Sequence, residues 1–141
     1  MLKGIPPIIS PDLIKVLMEM GHGDEIVLAD GNFPAASHTS SLINGHGHGV
    51  AAFLAAILKL FPLDTYVTYP VMLMDTVEGD EKNPAIWKDY EDIVNKMSDF
   101  PVKMEKLERM DFYERSKTAY AIIATSERAP YANIILKKGV L

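Results

Sequence analysis

Helical and strand-like patterns alternate along this chain with no clear internal repeat and no linker, which points to a layered α/β domain around one central mixed sheet flanked by helices. Ser10, Pro11 and Asp12 make a helix start: the serine caps, the proline fits the first turn and the aspartate complements the dipole. Leu13, Leu17 and Met20 then recur at helical spacing, and Gly21 reads as the stop. Residues 25–29 form a short apolar strand that ends at Asp30, before the turn signal Gly31-Asn32. Residues 50–60 read as a mostly buried helix, and 67–74 as a strand in which Pro70 marks an edge or bulge. Asn83-Pro84 opens a helix to about residue 96, and 102–107 alternates like a half-solvated strand. A short helix from Asp111, a strand over 119–124 and a last strand over 133–137 complete the pattern.

At 141 residues one core suffices, so residues 1–141 are expected to form a single domain. Apolar residues at 48% and charged residues at 23% leave no compositional case for disorder. The net charge of −5, with lysine and arginine scattered among acids, lacks the basic stripe that tracks a phosphate backbone, so no nucleic-acid partner is expected. The absence of cysteine excludes disulfides, thiol catalysis and cysteine-bound metal. The longest mainly apolar run, 50–63, contains Lys59 and Pro62 and falls short of the ~20 residues of a membrane span. With no export-signal pattern after Met1, the expectation is a soluble cytoplasmic protein without membrane partners.

His22 lies between two glycines that leave its imidazole accessible. Histidine titrates near neutrality, so with Asp24, Glu25 or Asp30 nearby in sequence it is suited to passing protons. The competing role is to cover the last carbonyls of the helix before it. Asp30 serves equally as a turn residue or as an acceptor for sugar hydroxyls. His38, His46 and His48 cluster in SHTSSLINGHGHGV, but flanking glycines and the lack of an adjacent carboxylate favour a solvated or substrate-facing loop over a metal site. No GxGxxG, Lys-Ser/Thr phosphate loop or GxSxG elbow is present. Arg109, Tyr113 and Arg115 fall close together in ERMDFYERSKTAY, either at a site or on a surface helix with Phe112 in the core. Tyr131 and Asn133, two apart, point to one side of an extended chain and offer an aromatic face beside an amide, a pairing suited to a sugar.

Taken together, residues 1–35 (MLKGIPPIISPDLIKVLMEMGHGDEIVLADGNFPA), LDTYV, FYERSKTAYAIIAT and ERAPYANIILKKGV resemble the L-fucose mutarotase branch of the family that also contains the D-ribose pyranases. The resemblance runs in the same order along the whole chain. It implies an α/β fold like that of ribose pyranase and a cofactor-independent sugar isomerase. His22 is then the proton-donating histidine, Asp30, Arg109, Tyr131 and Asn133 bind substrate, and Tyr113 and Asp64 occupy further pocket positions, Tyr113 as a catalytic partner. No metal ligand and no cofactor are implied. It also implies a decamer-like ring of identical subunits with pockets shared between neighbours. INGHGHG departs from the IRADG-like stretch common in relatives, so no role passes to His46 or His48. The substrate so implied is L-fucose, with D-ribose or another monosaccharide as the alternative within the class, and a non-catalytic sugar- or metal-binding protein as the alternative outside it. Mutarotation opens a hemiacetal and recloses it on the other face, which needs one group to protonate the ring oxygen and another to take the anomeric hydroxyl proton.

Overall fold

The computed structural model describes residues Met1–Leu141. In chain order its elements are α1 (Pro11–Glu19), β1 (Glu25–Ala29), α2 (Ala35–His38), β2 (Leu42–Gly45), α3 (Val50–Leu58), β3 (Val71–Met74), α4 (Ala85–Met97), β4 (Met104–Leu107), α5 (Arg109–Thr118), β5 (Ala121–Thr125) and β6 (Ile134–Lys137). All six strands join one sheet in the order β2-β5-β1-β6-β3-β4. β6 alone runs antiparallel to its neighbours, so the sheet is mixed and helices flank it, as the alternation predicts. The five like-directed strands therefore place their carboxyl ends beside the start of β6, at what we term the carboxyl edge. Their amino ends lie beside the end of β6, at the amino edge.

Side chains of successive strand residues point to opposite faces. On one face Ile26, Leu28, Ile123, Ile134 and Leu136 pack with Leu13 and Leu17 of α1, Leu54 and Ile57 of α3, and Tyr90 and Val94 of α4. On the other, Val27, Ala29, Ile122, Ile135, Met72 and Met74 pack with Phe33, Ala35 and Phe112. Covering both faces explains why EIVLA, VMLM, AIIAT and IILK are nearly continuous apolar runs. No helix is long and apolar enough to cross a membrane.

The ends of several elements differ from the sequence expectation. The strand expected over 67–74 begins only at Val71: proline has no amide to donate, and Pro70 contributes its carbonyl alone, accepting from Lys137 N at 2.8 Å. The expected 119–124 strand shifts to Ala121–Thr125. α2 is a single turn and β2 is an edge strand with Asn and Gly in it, so neither leaves a periodic signal. The segment expected as a solvated loop is therefore partly β2, and the turn after it is pinned: Gly47 N donates to Ser126 Oγ at 2.8 Å and Ser126 N to His48 O at 2.9 Å.

The end of α1 also departs from the simple reading. Met20 leaves the helix in an extended conformation, and Gly23, not Gly21, takes the left-handed φ of +86°. Lys138 Nζ reaches across from the end of the chain to donate to Leu17 O at 2.9 Å and to Met20 O. The carbonyls that a helix end leaves unpaired are thus covered by lysine, and the imidazole of His22 is not needed there.

Phe112 is fully buried and anchors α5 to the sheet. Phe112→Ala is expected to lower unfolding free energy by about 3–5 kcal/mol through lost burial and a cavity. Urea denaturation checks this as a lower midpoint at unchanged slope; a midpoint within error of the parent would contradict the packing described.

Candidate active site

At the amino edge, α1 and the turn after it deliver His22, and the segment before β3 delivers Asp64. His22 Nε2 lies 3.1 Å from Asp64 Oδ1, with the histidine side chain 45% exposed and the aspartate 2% exposed. Neighbours in sequence do not supply this partner: Asp24 Oδ2 accepts from Gly21 N at 2.7 Å, and Glu25 is held by Arg115 Nε at 3.0 Å. The expectation that Asp24, Glu25 or Asp30 would serve His22 is corrected accordingly. Burial works to raise the Asp64 carboxyl, but the hydrogen bond from Tyr66 N and the bond and charge of His22 outweigh it and hold it below its ordinary value of 3.8. An ionised carboxylate only accepts, so Nε2 carries the hydrogen and Nδ1 is left free to exchange a proton elsewhere.

The end of the chain fixes this pair from both sides. Asp64 N donates to Lys137 O at 3.0 Å, and Gly23 N to Lys138 O at 2.8 Å. Gly139 crosses so closely that a Cβ there would lie 2.5 Å from Leu63 O and 2.8 Å from Asp64 Cα. Only glycine lets the strands approach this far.

At the carboxyl edge, Asp30 and Asn133 form a reciprocal pair. Asp30 N donates to Asn133 Oδ1 at 2.7 Å, and Asn133 Nδ2 donates to Asp30 Oδ2 at 3.0 Å. Asn32 N donates to Asp30 Oδ1 at 3.0 Å. Burial pushes the Asp30 carboxyl above its ordinary value, against the lowering effect of these donors. Tyr131 stands beside them with φ of +54°, the one non-glycine residue in the left-handed region. The chain turns at Tyr131, outside β6, so strand alternation is not what sets Tyr131 beside Asn133. Two aromatic side chains of α4 hold the turn: Trp87 Nε1 donates to Tyr131 O at 2.9 Å and Tyr90 Oη to Ala132 O at 2.8 Å. Strained backbone sustained by such surrounding contacts is a mark of functional sites. The Tyr131 hydroxyl donates to Asp80 and accepts from Val77 N at 3.3 Å, and the Asp80 carboxylate holds the phenol above its ordinary value.

Arg109 opens α5 and is close enough to Tyr131 for its charge to act on the phenol. A cation in the first turn of a helix opposes the macrodipole at a cost of roughly 0.3–1 kcal/mol. Tyr113, one turn further on, packs with Phe33 and His38 at ring-centroid separations of 5.5 and 5.6 Å. The three loop histidines go separate ways: His38 to this cluster, His48 against Phe53 at 5.9 Å, and His46 to the surface.

His22 and Asp64 are thus together, and Asp30, Asn133, Tyr131 and Arg109 are together, but the two groups are not. The five residues of β1 separate them, at about 3.3 Å each, or roughly 16 Å in all. Sequence reasoning from spacing had no signal for the His22–Asp64 contact, which spans 42 residues, or for Asp30–Asn133, which spans 103.

Residues 3–141 match the RbsD / FucU transport protein family. The chain is 51% identical over 140 residues to a protein of Actinobacillus pleuropneumoniae serotype 5b (strain L20) named L-fucose mutarotase, covering 99% of this chain and 97% of that one. Among solved structures it is similar to the fucose mutarotase of Streptococcus pneumoniae in complex with L-fucose, with a TM-score of 0.95, 53% identity and 99% of each chain covered. It is also similar to FucU of Bifidobacterium longum, with a TM-score of 0.94, 49% identity and 99% of each chain covered.

The lowered Asp64 carboxyl links stability to pH with a definite sign. Its stabilising contribution is fully present above the ordinary 3.8 and is lost as pH falls through the lowered folded value. The gap in unfolding free energy between the parent and Asp64→Asn is expected to be full above the ordinary 3.8 and to close as pH falls below it, over roughly pH 5 to 2.5. Denaturation across that range checks it, and a constant gap would contradict the ionised pair.

Proposed function

Because this chain belongs to the RbsD / FucU transport protein family, we infer that it is a sugar isomerase, a mutarotase that interconverts the α and β anomers of L-fucose. Near-complete likeness to a fucose mutarotase that binds L-fucose, at 53% identity, is the observation that carries this reading. Residues 1–141 act in it as one mutarotase domain, since every strand joins one sheet.

In this mechanism His22 Nδ1 exchanges a proton with the ring oxygen while Asp64 holds Nε2–H and fixes the ring. The role assigned to Asp64 is thus to orient the base, because its carboxylate is covered and already occupied. At the carboxyl edge Asp30, Asn133 and Arg109 hold the sugar hydroxyls. Tyr131 contributes its ring, its hydroxyl being engaged by Asp80 and Val77. Tyr113, or a water beside it, takes the anomeric proton while passing its own hydroxyl proton on to solvent. The protons move as the bond from C1 to the ring oxygen breaks to give the open aldehyde and re-forms on the other face, and positioned acid–base groups supply roughly 10²–10⁴-fold, enough for a reaction that already proceeds in water.

One monosaccharide does not bridge the two edges of a single chain, so the pocket joins the amino edge of one copy to the carboxyl edge of another. Such contacts between identical chains close into rings when the rotation allows, and the decameric ring implied by the family resemblance is one such closure. The sharing supports a direct test.

His22→Ala is expected to lower α/β exchange of L-fucose, seen by saturation-transfer NMR, by roughly 10²–10⁴-fold. Asn133→Ala is expected to weaken sugar binding about tenfold, because Asp30 loses two hydrogen bonds. Mixed assemblies of the two variants should regain activity, since random mixing makes about a quarter of shared sites whole. Activity no higher than that of the separate variants would show that the two edges do not meet, and unchanged exchange in His22→Ala would overturn the histidine assignment.

A further inference from the structure

The amino edge carries an aromatic ring that the mechanism above does not use. Tyr66 is 76% exposed, more than Tyr69 at 41% or Tyr120 at 36%. Its position is nevertheless specified. Asp64 Oδ1 accepts from Tyr66 N at 2.9 Å and faces His22 Nε2 at 3.1 Å, so one buried oxygen sets both residues. The two rings lie 5.2 Å apart between centroids, with their planes tilted by 52°.

We infer that Tyr66 is a substrate-contacting residue that determines specificity, its ring forming the wall against which the C5 methyl group of the sugar rests. The argument builds on the mutarotase reading. In a pyranose the ring oxygen is bonded directly to C5, so an imidazole that serves this oxygen stands next to whatever C5 carries. In L-fucose that substituent is a methyl group. At the carboxyl edge Asp30, Asn133 and Arg109 offer a methyl little, and the one ring placed there on the sugar, that of Tyr131, stands with the groups that hold the hydroxyls and not with the imidazole that serves the ring oxygen. At the amino edge, the ring held beside His22 is an apolar face of the kind that suits sugar C–H groups. Proton transfer and recognition of the methyl group are thus set by the same carboxylate.

The test compares kcat/KM for anomer exchange of L-fucose with that of D-arabinose, whose pyranose is L-fucose without the methyl. The parent is expected to favour L-fucose by roughly tenfold or more, the discrimination one buried carbon supplies. Tyr66→Ala should bring the two sugars within about threefold, by loss on L-fucose alone, whereas Tyr66→Phe should keep the preference. Tyr66→Gln keeps bulk without an apolar face and should lose the preference too, which covers the case in which Tyr66→Ala alters sedimentation. An unchanged ratio in both the Ala and Gln variants, or an equal loss on both sugars, overturns the inference while leaving the mutarotase reading intact. A parent protein that accelerates neither sugar overturns both.

Discussion

β6 runs against the other five strands, and both halves of the candidate site hang from it. The residues that lead into it, Tyr131 to Asn133, sit at the carboxyl edge, and those that leave it, Lys137 to Gly139, sit at the amino edge. At one end Asn133 grips Asp30; at the other Lys137 and Lys138 accept from Asp64 and Gly23. Its central position between β1 and β3, with Ile134, Ile135 and Leu136 fully buried, makes this strand hard to displace without unfolding the sheet. The C-terminal stretch is thereby the rigid member against which both edges are set.

Polar groups at these edges are buried in pairs, and the pairing is what makes the burial tolerable. An uncompensated buried amide or carboxylate costs several kcal/mol, but Asp30 and Asn133 satisfy each other, and Asp64 is met by an imidazole and a backbone amide. No buried side-chain nitrogen or oxygen is left without a partner. The opposite directions in which the two carboxyl groups shift follow from their surroundings. Burial prevails at Asp30, whereas donors and positive charge prevail at Asp64. The first suits a group that receives hydroxyls at the floor of a site, the second a group that must remain ionised to hold a neighbour.

Separation of the two edges by a strand length assigns a second purpose to the surface around His22. Its imidazole and the ring of Tyr66 project outward together, tied to a single carboxylate oxygen. The arrangement is rigid within the chain yet directed out of it.

Much of this was legible in the sequence, for local reasons. Ser10-Pro11-Asp12 starts a helix because capping and dipole effects act within one turn, and Ser10 Oγ accepts from Leu13 N as expected. Residues 25–29 form a strand with the expected bounds because an apolar run between turn residues has few other solutions. The mixed α/β architecture followed from alternation alone, and the family resemblance singled out His22 and Asp30 among several ambiguous candidates. β2 and α2 were hidden because an edge strand and a single turn need little pattern of their own. Tertiary structure decided the rest: that His22 pairs with Asp64, that Lys138 closes α1, that Tyr131 turns left-handed under Trp87 and Tyr90, and that the two groups of site residues stand at opposite edges. Each of these joins residues far apart in the chain. Sequence periodicity records which face a residue presents, but the direction of β6 within the sheet determines what that face meets.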